Sequence, residues 1–77
     1  MRYRDECRLI MLFHHFDSDP KAVDVGFETS FLGDTGARFK EEGGLMFVSG
    51  KMLDIFQRIA TSRFGMDWHA YECEDLL

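Results

Sequence analysis

The sequence predicts an α+β domain: a small antiparallel sheet of three to four strands packed against one amphipathic helix, in the order β-β-β-α-β. Three observations point there. Val23, Val25, Phe27, Thr29 and Phe31 recur at every second position, with Asp24, Gly26, Glu28, Ser30 and Leu32 between them. Side chains on a strand alternate between faces, so this run has one mostly apolar and one mostly polar side. Ser49 to Phe64 instead carries Met52, Leu53, Phe56, Ile59, Ala60 and Arg63 at helical spacing. Clusters of turn-forming residues cut the remaining chain into short pieces.

Met1 to Glu6 is polar and reads as frayed or as an edge. Cys7 to Phe16 contains the unbroken apolar run Leu9, Ile10, Met11, Leu12 and Phe13. As a helix, it would align Leu9, Leu12, Phe13 and Phe16. Asp5 and Glu6 would then sit at the positive end of the dipole and His14 and His15 at the negative end. The shortness of the run favours a central strand buried on both faces. Asp17-Ser18-Asp19-Pro20 is a turn, after which Val23 to Leu32 pairs antiparallel with the first strand across a short link. Gly33-Asp34-Thr35-Gly36 supplies residues that tolerate positive φ and reads as a tight reversal. Ala37 to Lys40 returns as a strand, Glu41-Glu42-Gly43-Gly44 interrupts it, and Leu45 to Val48 is a short apolar strand. The helix that follows has Ser49 as its N-cap and Gly65 as its left-handed stop. Met66 to Cys73 forms a last strand, with a short helix as the alternative, and Glu74 to Leu77 is a tail.

Seventy-seven residues make one domain, and a chain of this size buries only about 60% of the surface its unfolded form exposes. Eight Phe, one Trp, two Tyr and five Met are many for so small an interior, so some of these side chains are expected at an interface. The formal net charge of −5 repels phosphate backbones and argues against a general nucleic-acid binder. Leu9 to Phe13 is too short to span a bilayer and is not followed by a small-residue cleavage site. The expectation is a soluble, cytoplasmic protein. Cys7 and Cys73 do not make a disulfide framework and are expected to remain thiols.

No motif in the chain carries a specific chemistry. His14, His15, His69, Cys7 and Cys73 could form a zinc site if the chain ends converged, but no C-x-x-C pair is present. A thiol nucleophile at Cys7 or Cys73 would need a neighbouring base and a cleft. Asp34-Thr35-Gly36 matches three letters of the aspartic-protease signature, and a turn explains them equally well. Gly44 and Gly50 stand one residue too far apart for a phosphate loop, and Met52 occupies the position that requires Ser or Thr. No cofactor is expected.

The reading that remains is a small acidic protein-binding module without enzymatic activity. Trp68, Tyr71 and Phe31 are its candidate aromatic anchors, because large aromatic side chains dominate binding hot spots. Asp24, Glu28, Glu72, Glu74 and Asp75 are its candidate acidic contacts. Aligned on the outer sheet face, these carboxylates could imitate a phosphate row or meet an arginine patch. The expected partner is a protein with a basic surface, or a second copy of the chain in a homodimer, without direct contact to nucleic acid or membrane. In size and charge the chain is like the small acidic proteins with which phages and mobile elements inhibit host nucleic-acid-handling proteins. The alternatives are a metal- or thiol-dependent enzyme using His69, Cys73, His14 and His15, and a structural subunit of an obligate oligomer.

Overall fold

Leu9, Leu12, Phe13 and Phe16 do share one side of a helix. In the computed structural model, which describes residues 2–69, helix α1 runs Tyr3–Ser18. Asp5 and Glu6 occupy its first turn and His15 its last, as the helix dipole favours. Asp19 closes it by donating its backbone N–H to the His15 carbonyl, 3.0 Å away. A 3-10 turn, Pro20–Ala22, follows, with Pro20 at its first position. Helix α2 then spans Gly26–Glu42, a second 3-10 turn spans Gly43–Leu45, and helix α3 spans Gly50–Phe64.

The described residues contain no strand, so the expected sheet and the β-β-β-α-β order are replaced by three helices. Each departure has a physical cause. In the alternating run only Val23 and Val25 are extended, at φ −104°, ψ 98° and φ −90°, ψ 119°. Phe27 and Phe31 stand four apart, a spacing that satisfies a period of two and a helical turn alike. Leu32, Thr35 and Phe39 continue the stripe of α2 at helical intervals. The supposed reversal at Gly33-Asp34-Thr35-Gly36 lies inside α2, because neither glycine uses positive φ; only Gly43 and Gly65 do so. Thr35, buried in mid-helix, donates its hydroxyl to the Phe31 carbonyl at 2.6 Å, which removes the penalty of an unpaired polar group. The expected returning strand, Ala37 to Lys40, is the C-terminal part of the same helix. Leu45 to Val48 is a link that pairs with no other segment as a sheet.

Helix α3 follows the sequence expectation closely. The Met52 backbone N–H donates to the Ser49 hydroxyl at 3.2 Å, and Gly65 ends the helix at φ 63°, ψ 20°. Phe56, Ile59 and Ala60 are its buried residues. Beyond Gly65 the chain turns back without forming a strand over its described part. The alternation survives in burial: Met66 and Trp68 are buried, whereas Asp67 and His69 are exposed.

The core draws on every segment. Leu9 and Leu12 come from α1, Leu32 from α2, and Phe56, Ile59 and Ala60 from α3; Val23 and Met46 enter from the two links, and Met66 and Trp68 from the C-terminal turn. Phe56 is fully buried. Its ring meets Phe13 edge-on at 5.9 Å and 87°, and lies 4.9 Å from Phe31. Phe13 in turn lies 5.5 Å from Phe39. No described helix is long and apolar enough to cross a membrane.

Two substitutions test this packing by urea denaturation. Phe56→Ala is expected to cost about 3–5 kcal/mol, the range for removing a buried aromatic ring, and a domain this small should then be largely unfolded without denaturant. Gly33→Ala should raise stability by about 0.5–1 kcal/mol, since nothing lies within 4 Å of the added methyl group.

Candidate functional site

The entry to α2 brings charged and aromatic side chains to one corner of the molecule. The extended residues Val23 to Val25 lead into the helix, and the Thr29 hydroxyl fixes that approach by donating to the Val23 carbonyl at 3.0 Å. Asp24 lies on this approach and Glu28 in the first turn of α2, where a carboxylate is favoured by the helix dipole. Arg63, in the last turn of α3, crosses to both. Its Nε donates to Glu28 Oε1 at 2.9 Å, and its Nη1 lies 3.4 Å from Asp24 Oδ1. The hydrogen bond to Glu28 raises the Arg63 pKa above its ordinary value; desolvation opposes the rise, and the charges of Glu28 and Asp24 support it.

Beside this ionic clasp, Phe27 is 65% exposed and Val25 40%. The Phe27 ring stacks on Phe31 at a centroid distance of 6.1 Å and 17° between planes. Phe31 is half-buried and rests on Phe56. A continuous row of rings, Phe56 to Phe31 to Phe27, therefore runs from the core to the surface. Phe27 is presented from a fixed base rather than from a loop.

The expected site residues divide into three groups. Phe31, Asp24 and Glu28 converge at this corner. Glu28 spends its charge on Arg63 and is only 17% exposed at its side chain, whereas Asp24 keeps 78% of its side chain in solvent. Trp68 is elsewhere and buried at 3%. The Arg8 guanidinium covers its ring at 5.9 Å and is held there by the His69 carbonyl and by Asp5. Its burial makes Trp68 a core residue of the described fold. Tyr71, Glu72, Glu74 and Asp75 lie outside the described residues. For Asp24 and Glu28 the expected row of carboxylates on an outer sheet face is not formed, because the described residues contain no sheet.

Phe27 and Arg63 were both missed as site residues. The sequence pattern places Phe27 on the apolar face of a strand and Arg63 among the helically spaced residues of Ser49 to Phe64, and marks neither as a contact residue. The i, i+4 spacing of Phe27 and Phe31 was the available signal for the first. Nothing in the sequence pairs Arg63 with Glu28, 35 positions away, or with Asp24.

Among the described residues the histidines do not assemble a metal centre. His14 and His15 are neighbours on α1, and the His15 ring stacks on Phe64 at 5.7 Å. His69 Nε2 lies 2.9 Å from Gln57 Nε2. Among the described residues no three His, Cys, Asp or Glu side chains are placed to hold a metal ion. Cys7 is a buried free thiol, and Cys73 lies outside the described residues. No protein-family model matches the chain, and neither does any curated protein or solved structure.

The clasp makes a prediction about stability. Arg63→Met and Glu28→Gln should each lower the urea midpoint, and the double substitution should lower it by less than the two effects together, the mark of a direct interaction. Strict additivity would show that the two side chains do not meet in solution.

Proposed function

We propose that this chain is a protein-binding module whose contact surface is the Phe27 corner and whose partner presents a basic patch. The single observation that carries the reading is Phe27, two-thirds exposed and yet stacked on a row of rings rooted in the core. An aromatic anchor fixed before binding loses little side-chain entropy on association, which is what hot-spot residues require. Val25 extends the apolar contact. Asp24 supplies an outward carboxylate, and the overall charge of −5 steers encounter with a positive surface. Inhibition of a host nucleic-acid-handling protein is one use open to such a module, since those proteins carry the basic surfaces it would seek.

The test is affinity capture from the native host with three baits: the wild-type chain, Phe27→Ser and Asp24→Asn. Phe27→Ser removes a stacked ring pair, worth about 0.5–1.5 kcal/mol, so circular dichroism verifies that this bait is folded and a loss of capture then reports on contact. The reading expects a partner held by the wild type, weakened roughly 30-fold or more by Phe27→Ser, weakened less by Asp24→Asn, and released by added salt. Identical capture by wild type and Phe27→Ser would contradict it.

A further inference from the structure

We propose that the chain pairs with a second copy of itself by inserting Phe47 of each molecule into the hollow between α1 and α2 of another. The hollow measures about 210 Å³, and its walls are Phe13, Phe16, Leu32, Gly36, Ala37 and Phe39, with Gly33 between them. An apolar cavity of about 150 Å³ takes a benzene ring, so this one has room for a single phenyl side chain. Gly33, an exposed residue of its lining, is not demanded by packing. Gly33 sits in the interior of α2, where glycine weakens a helix, and nothing lies within 4 Å of the place its Cβ would occupy. A larger residue at this lining position would obstruct the hollow.

The same chain carries the complementary shape. Leu45 and Phe47 are 91% and 74% exposed, the highest values among the large apolar residues described. Between them Met46 is fully buried, which pins the link and turns its neighbours outward. The charges fit as well. Asp17 and Lys40, both exposed, complete the lining of the hollow. In sequence the Phe47 link is bracketed by Glu41 on one side and Lys51 on the other, also exposed. Phe47 can therefore enter with Lys51 facing Asp17 and Glu41 facing Lys40, opposite charges in both cases. A pocket and an apolar projection on one molecule are the ingredients of self-association. This surface is distinct from the Phe27 corner, and the inference does not rest on the function proposed there.

Sedimentation equilibrium of purified full-length chain provides the test. The wild type should associate as its concentration rises. Phe47→Ser, which keeps the hollow, and Gly33→Leu, which puts a bulky side chain in its lining, should each weaken association roughly 30-fold or more. Circular dichroism verifies that each variant is folded. Mixing the two should restore a 1:1 complex, because one supplies the ring and the other the open hollow, while Phe27→Ser should associate as the wild type does. Should Gly33→Leu fail to fold, Asp17→Lys takes its place: it should weaken association alone and recover it when mixed with Lys51→Asp. A monomeric wild type, or association unaffected by Phe47→Ser, would overturn the proposal.

Discussion

Phe56 meets a ring from each of the other helices, Phe13 of α1 edge-on and Phe31 of α2 obliquely. The fold depends on this three-way contact. The described residues hold no sheet to tie distant segments together by backbone hydrogen bonds, so the helices are fixed relative to one another by side chains. Aromatic rings suit that task. They bury large areas and prefer offset or edge-on contacts of defined geometry. Five of the eight phenylalanines, at positions 13, 27, 31, 39 and 56, form one connected series.

That series links stability to recognition. Its inner members hold the bundle, and its outermost member, Phe27, is the exposed side chain on which the proposed binding reading rests. The Arg63 clasp strengthens the link. By tying the last turn of α3 to the approach and first turn of α2, it holds the helix that carries Phe27 against the helix that carries Phe56. Arg63 therefore helps set the position of Phe27 while leaving most of the Asp24 side chain exposed. Met46 plays a similar part in the second link, where one buried side chain fixes a segment whose neighbours face outward.

Helix α3 was legible in the sequence because its stripe, its serine cap and its glycine stop all agree. The other two helices were not, for reasons that can be named. Leu9 to Phe13 is apolar without a break, so it has no period to read. Its outer member Ile10 remains 43% exposed, which the two-sided burial expected of a central strand would not allow. In α2 the two extended valines before the helix joined Phe27, Thr29 and Phe31 into a false alternation. Two interior glycines then imitated a turn. Packing of Leu32 and Phe39 against the other helices outweighed these local preferences. Of the corner, the sequence reading included Phe31, Asp24 and Glu28, and missed Phe27 and Arg63. Exposure and a contact across 35 residues are properties of the fold and cannot be read from local pattern.

The central claim is that three helices are locked together through the Phe56 ring, and nuclear magnetic resonance tests it most directly. Backbone shifts should be helical across 3–18, 26–42 and 50–64, and the Phe56 ring protons should show cross-relaxation to the rings of both Phe13 and Phe31. Extended shifts across 23–32, with cross-strand contacts and no signal between Phe56 and Phe31, would contradict the account.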